Sequence, residues 1–374
     1  MHNNNYLISF VLGTRPEAIK LAPLILEFKK NEKVKINIVL SGQHEDMIRS
    51  VMDMFDLKED INLNILRRSI SLDQSISLIL SELSIFLDDI KPDIVFVQGD
   101  TVTAFAGALA AFLKRIPVAH VEAGLRTENI YSPFPEEANR RMISQITSLH
   151  FPPTKIAFKN LSNNGINKNV FISGNTVVDA LNIVSKKINH PNIKNFDIYK
   201  EKYILTTVHR RENWGNPIRN IAKGIQNIAA KNKNLKFLIP MHKNPSVRVP
   251  LVDLLGKNKN ILLIEPLPYP EFILTLKHSI IVLTDSGGIQ EEAHTLGKPT
   301  LILRDSTERP EVLIEGNAVL VGNDSKRIEK EFNNLIKNSD RFKSSKKNLN
   351  TFGDGNSSEF ILEKTIEFLK KEFN

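Results

Sequence analysis

The chain has 374 residues, 41% of them apolar, which is enough for two domains with real cores. Its net charge of +8 is spread over Lys mixed with Asn, so it gives no ground for a nucleic-acid partner. The absence of cysteine excludes disulfides, thiolate nucleophiles and cysteine zinc sites, and fits a cytoplasmic location.

Met1–Asn5 lacks the positive start of a signal peptide, and the first apolar run, Leu7–Leu12, is short and soon followed by Arg15, Glu17 and Lys20. That run reads as a strand. Further strands are expected at Val34–Leu40, Ile94–Val97, Val118–Val121, His150–Phe151 and Val170–Ser173, with helices over Glu17–Lys29, Leu72–Asp89 and Thr101–Lys114 between them. A second series of strands follows at Tyr203–Val208, Phe237–Pro240, Ile261–Ile264, Ile280–Thr284, Thr300–Leu303 and Val319–Val321, with helices over Pro217–Ala230 and Ile289–Leu296. Alternation of this kind predicts an α/β fold with parallel sheets. The softest stretch, Thr103–Leu113, is about half the length that spans a bilayer and reads as a buried helix, so no membrane partner is expected. The seam is expected between Asn175 and Tyr203, where Asn189, His190, Pro191, Asn192 and Asn195 cluster. The expected division is a first domain over residues 1–175, a second over 176–355, and an amphipathic helix over 356–374 that returns to the first.

Two strands run directly into turns suited to anions. Gly13-Thr14-Arg15-Pro16-Glu17 follows the first strand, and Asp285-Ser286-Gly287-Gly288 follows Ile280–Thr284. Each reads as strand, tight turn and helix start, and a helix N-terminus offers unpaired N–H groups and a partial positive charge. Ordinary strand-to-helix turns have the same outline. Asp100, Glu122 and Glu136 lie in loops after strands, the end of an open sheet where ligands bind. Singly, each fits an N-cap or a surface ion pair better than a catalytic role; three together point to acid–base work, because clustered like charges cost energy. In the second half, His209 and Arg210 follow one strand and His242 the next. Imidazole and guanidinium suit phosphate, although His242 fits a structural hydrogen bond at least as well. The histidines show no metal-ligand spacing, and no metal is expected.

The chain resembles the non-hydrolysing UDP-N-acetylglucosamine 2-epimerases. The matching segments are Gly13–Lys20, Gly99–Thr101, His120–Thr127, Ser132–Arg140, Gly174–Thr176, His209–Asn213, Asp285–Ala293, Arg304–Glu311 apart from Ser306, and Gly353–Gly355, in the family's order and over nearly the whole chain. The resemblance implies two Rossmann-like domains facing each other across a cleft, as in GT-B glycosyltransferases, and a cytoplasmic homodimer that needs no cofactor. It implies UDP between the domains, with Arg15 and His209 near the diphosphate, Ser286, Gly287 and Gly288 as its cradle, and Glu292 on the ribose. Lys20, Asp100, Glu122, Glu136 and Arg140 would surround the sugar, with the acids and bases drawn from Asp100, Glu122, Glu136 and His209. The implied reaction is reversible C2 epimerisation of the UDP-sugar. Other UDP-sugar epimerases, the hydrolysing 2-epimerases and GT-B glycosyltransferases remain alternatives. Regulated members resemble this chain at Gln43-His44 and bind a second substrate molecule there. Here Glu45 and Asp46 follow where those members carry Arg and then Gln or Glu, and Ser69 stands where they often carry Arg, so weak or absent activation is expected.

Overall fold

The structure, a computed structural model, describes residues 5–42, 45–65, 70–187, 191, 193–194, 196–337 and 350–373. The expectations resting on Gln43, His44 and Ser69, on the side chains of Glu45 and Asp46, and on Asn189, His190, Asn192 and Asn195 lie outside what is described. The chain forms two compact units, one of Met1–Asn182 with Phe352–Asn374 and one of Ile183–Thr351.

The first unit holds six parallel strands, β1 (Tyr6–Leu12), β2 (Val34–Leu40), β3 (Ile61–Asn62), β4 (Ile94–Gln98), β5 (Val118–Val121) and β6 (Leu149–Phe151), in the order β3-β2-β1-β4-β5-β6. Neighbouring residues on a strand face opposite sides of the sheet, so a strand covered on both faces must be apolar throughout. On one face, Phe10 and Phe96 stack with ring centroids 4.9 Å apart and both meet Phe28 of helix α1 (Arg15–Lys29). On the other, Val11 and Val97 pack in a core with Ala104, Ala108 and Ala111 of helix α4 (Val102–Leu113) and Leu83 and Leu87 of helix α3 (Leu72–Ile90). The small residues of α4 let it lie close on the sheet: a Cβ on Gly107 would be 3.3 Å from both Val11 and Val97. The remaining helices here are α2 (Glu45–Met54), α5 (Glu136–Ile146) and α6 (Lys155–Asn163), with α7 (Thr176–Lys187) leading into the second unit.

The expected strand at Val170–Ser173 is instead a single bridge from Val170 to His150. The segment runs beside β6, with the Phe171 N–H on the His150 carbonyl (2.9 Å) and the Ser173 N–H on the Pro152 carbonyl (3.0 Å). Pro152 has no N–H to donate, so the ladder stops there.

The second unit repeats the plan with β7 (Tyr203–Thr207), β8 (Lys236–Pro240), β9 (Ile261–Ile264), β10 (Ile281–Thr284), β11 (Thr300–Ile302) and β12 (Ala318–Leu320), all parallel, in the order β12-β11-β10-β7-β8-β9. Its helices are α8 (Asn216–Lys231), α9 (Pro245–Leu255), α10 (Tyr269–His278), α11 (Gly287–Thr295), α12 (Glu311–Ile314) and α13 (Ser325–Lys337). Ile221, Ile225 and Ile228 of α8 join Phe237, Leu283 and Phe332 in its core. The chain then re-enters the first unit at Phe352, whose carbonyl accepts from the Asn175 N–H (2.7 Å), and ends in helix α14 (Ser357–Phe373) packed on α1. Both sheets therefore have the strand order of a Rossmann fold, the order of strand addition reversing between β1 and β4 and between β7 and β10. Within each unit, loops leaving the C-terminal ends of its two reversal strands diverge and leave a crevice.

Candidate active site

In the first unit the crevice is made by the turns after β1 and β4. Glu17, fully buried in the first turn of α1, accepts from the Gly13 N–H (3.0 Å) and from the Thr101 hydroxyl (2.6 Å). That hydroxyl also accepts from the Ala104 N–H (3.0 Å), capping α4. One carboxyl thus ties together the two turns that flank the crevice. Gly13 must be glycine because a Cβ there would overlap the Thr103 hydroxyl.

Burial raises the Glu17 carboxyl from the ordinary 4.5 to about 7. A folded value above the unfolded one favours folding most at low pH. The contribution is whole below about 4.5 and is lost as pH rises through about 7. Burial lowers His120 to about 4 and His150 to about 3, so their contributions run the other way, present above 6.5 and lost as pH falls. The Glu17 term is therefore isolated by difference. The stability advantage of wild type over Glu17→Gln will shrink by roughly 3 kcal/mol between the two Glu17 values, read from denaturant melts across that range. A constant difference would contradict the assignment.

Glu122 directly follows β5 with φ at +65°, in the left-handed region, and its carboxylate is nearly enclosed. One oxygen meets the Lys20 ammonium and the Asn175 amide (3.4 Å), and the other meets the Gln98 amide. Asp100, half-buried in the turn after β4, is gripped by Arg140 through Nε (3.1 Å) and Nη2. Arg140 spends its other nitrogen, Nη1, on the fully buried Glu137 (2.9 Å), which also takes Arg141 (2.7 Å) and the Thr127 N–H (2.9 Å). The Asn139 amide donates to the Asp100 carbonyl (2.9 Å), and His120 Nε2 donates to the Gly99 carbonyl (2.7 Å). Of the residues singled out in the sequence, the structure joins Lys20 with Glu122 and Arg140 with Asp100. Arg15 and Glu136 stand half-buried in the first turns of α1 and α5. Sequence reasoning assigned no individual role to Gln98, Glu137, Asn139, Asn175 and Glu17, although four of them lie within the quoted motifs. Only the polar ends of apolar strands and the Glu-Glu pair before Arg140 hinted at them.

In the second unit the turns after β7 and β10 meet. Asp285, fully buried, accepts from the backbone N–H groups of His209 and Arg210 and from the Asn213 amide. Ser286 is the N-cap of α11, and its side chain makes no capping bond. A Cβ on Gly287 would overlap the Arg309 guanidinium, which pairs with Glu291 and Glu308. Gly288 differs: no described residue lies within 4 Å of where its Cβ would be, and its φ is not one that demands glycine. The space over Gly288 gives a ligand close access to backbone at a helix N-terminus. Arg210 lies 3.7 Å from Glu308. Glu292, further along α11, accepts from the Tyr269 hydroxyl (2.8 Å). His242 is exposed, and its ring stacks on that of His209 with centroids 6.0 Å apart.

Both units thus concentrate polar and ionisable groups at their own topological switch points, carboxylates with cations in the first and a glycine-led helix N-terminus with imidazoles in the second. The family model for UDP-N-acetylglucosamine 2-epimerase matches residues 26–366. The chain belongs to the UDP-N-acetylglucosamine 2-epimerase family. A family member from Neisseria meningitidis serogroup A is 45% identical over 365 residues, which cover 96% of this chain and 98% of that one. The crystal structure of the Neisseria meningitidis enzyme bound to UDP-GlcNAc is similar with a TM-score of 0.91 at 44% identity, covering 96% of this chain and all of that one. An S. aureus MnaA–UDP co-structure gives 0.90 at 38% identity, over 98% and 97% of the two chains. The family read from the motifs and the paired α/β architecture are both borne out. Among the described residues, no group of three or more His, Asp and Glu side chains forms a metal site, and no helix is long and apolar enough to cross a membrane.

Proposed function

We propose that the chain interconverts UDP-N-acetylglucosamine and UDP-N-acetylmannosamine without hydrolysing them. The second unit binds the nucleoside diphosphate, with Gly287 and Gly288 at the N-terminus of α11 and with Ser286, His209, Arg210 and His242 around it, while Glu292 takes the ribose. Arg15 adds a cation for the diphosphate, and the first unit supplies acid–base groups to the sugar. The observation that carries the reading is the pair of cation-bound carboxylates at the switch point of the first unit, buried Glu122 with Lys20 and half-buried Asp100 with Arg140, in a chain of this family.

The chemistry follows from the substrate. C2 of an N-acetylhexosamine is not next to a carbonyl, so simple deprotonation there is very slow. Oxidation by a nicotinamide is disfavoured because the turn after β1, Gly13-Thr14-Arg15-Pro16-Glu17, lacks the glycine pattern of a dinucleotide site. Elimination remains. The C1–O bond to UDP breaks as a carboxylate takes the C2 proton, leaving a glycal and UDP. UDP then re-adds at C1 while a second acid delivers a proton to the other face of C2. Cations and helix N–H groups stabilise the departing diphosphate, and a placed base contributes roughly 10²–10⁴-fold. The groups available are Asp100, Glu122, Glu136 and His209. Incubated with UDP-N-acetylglucosamine in D₂O and no nicotinamide, the protein will give UDP-N-acetylmannosamine carrying deuterium at C2 in the proton spectrum. Fully protonated product would refute elimination. Free N-acetylmannosamine as the main product would favour the hydrolysing reading.

The same proposal includes a cytoplasmic homodimer. Leu78 and Ile85, seven residues apart on α3, and Phe112 and Leu113 at the end of α4 are exposed large apolar side chains on helices that pack together. Sedimentation of wild type should give twice the mass of the chain, and Ile85→Glu should reduce it to one copy.

A further inference from the structure

The stacked histidines of the second unit differ in what surrounds their Nδ1 atoms. His209 Nδ1 lies 3.3 Å from Asp285 Oδ1. Asp285 is fully buried, and its carboxylate accepts from the His209 N–H (3.1 and 3.0 Å), the Arg210 N–H (2.9 Å) and the Asn213 amide (2.9 Å). Asn213 is itself fixed by the Leu303 carbonyl (3.1 Å). The carboxylate therefore cannot turn away from the imidazole without giving up backbone bonds. A lone pair on Nδ1 would face that carboxylate; an N–H there is attracted to it. In His242, by contrast, Nδ1 accepts from the Asn244 backbone N–H (3.1 Å), which requires a lone pair at Nδ1 and so puts the proton of the neutral ring on Nε2. Partial desolvation of the ring, which the Asp285 charge opposes, lowers the His242 pKa and favours that neutral form.

We propose that Asp285 is the positioning residue that holds the His209 proton on Nδ1, so that the two stacked rings offer opposite functions at Nε2: a lone pair from His209 and an N–H from His242. This rests on the reading of His209 and His242 as ligand-facing groups. It extends that reading by dividing their tasks. Neutral His209 receives a proton at Nε2, while neutral His242 only donates a hydrogen bond, as suits an oxygen of a diphosphate. Asp285 needs no contact with substrate to set this arrangement, and it also fixes the backbone of the turn that carries Arg210.

The tautomers are read directly from long-range proton–nitrogen correlation spectra of protein labelled with ¹⁵N-histidine, assigned with His209→Asn and His242→Asn variants, at a pH about two units above the ordinary histidine value of ~6.5. His209 is expected with Nδ1 in the N–H range and Nε2 in the lone-pair range, and His242 with the reverse. In Asp285→Asn the His209 nitrogens should move toward the Nε2–H pattern preferred by free imidazole, while His242 keeps its own. Wild-type His209 in the Nε2–H form would overturn the proposal even if Asp285→Asn fails to fold. So would a folded Asp285→Asn whose His209 nitrogens do not move. Adding UDP tests the underlying reading separately. Movement of the His209 Nε2 resonance supports a ligand-facing role. An unmoved resonance with the expected tautomer would sink that role and leave the tautomer assignment standing.

Discussion

Glu122→Gln will lower kcat by at least roughly a hundredfold while changing UDP affinity by no more than about threefold. The substitution keeps the shape of the side chain and removes its charge. Two consequences follow. A group that takes or returns a proton is gone, and the amide has no good orientation. One carboxylate oxygen faces the Lys20 ammonium and the other the Gln98 amide, so the new NH₂ points at a donor whichever way it turns. Lys20, nearly buried, also loses its counter-charge. The second variant, Glu122→Gln with Lys20→Met, separates these effects. It removes the uncompensated ammonium, so thermal stability should recover while turnover does not. UDP affinity by calorimetry should stay close to wild type, because the proposed nucleotide groups other than Arg15 belong to the other unit. Asp100→Asn should lose activity on a similar scale. Near-normal turnover in both single variants would mean that the acid–base assignment is wrong.

Much of this arrangement is legible in the sequence, and the parts that are not share a physical cause. Strand–turn–helix punctuation locates the two anion turns and the loops carrying Asp100, Glu122 and His209, because a parallel sheet sends every such loop to one edge. What periodicity cannot give is the rotation of a side chain about its element. Glu136 and Glu137 are adjacent, and Arg140 lies four and three residues beyond them, so either spacing allows an ion pair along one helix face. The structure gives Glu137 the buried bond to Arg140 and leaves Glu136 half-buried. Asp285 reads as an ordinary turn residue, yet its partners are 72 to 76 positions away. Contacts between neighbouring parallel strands carry no local signature, which is also why Gln98 and Asn175 escaped notice. The two-residue strand β3 is too short for any alternation to show.

Arg140→Met tests the part of the site that no local pattern revealed. The Arg140 side chain is about 3% exposed and lies between Asp100 and Glu137, the latter with a fully buried side chain. Its guanidinium serves one carboxylate with Nε and Nη2 and the other with Nη1, a fork that the single ammonium of Lys cannot reproduce. Methionine fills similar volume but leaves two carboxylates without their shared cation. Arg141 still reaches Glu137 from the surface, so the uncompensated charge falls mainly on Asp100. Removing one partner of a buried ion pair costs about 3–5 kcal/mol. The first unit should therefore melt roughly 10 °C lower, with activity lost at temperatures where it remains folded. Arg140→Lys should restore part of the stability, since a charge returns, but little of the turnover, since the Asp100 Oδ2 atom is no longer held by two nitrogens of one fork. If Arg140→Met melts like wild type, the buried pair contributes nothing net to folding. If Arg140→Lys turns over normally, Asp100 does not need the fork to do its work.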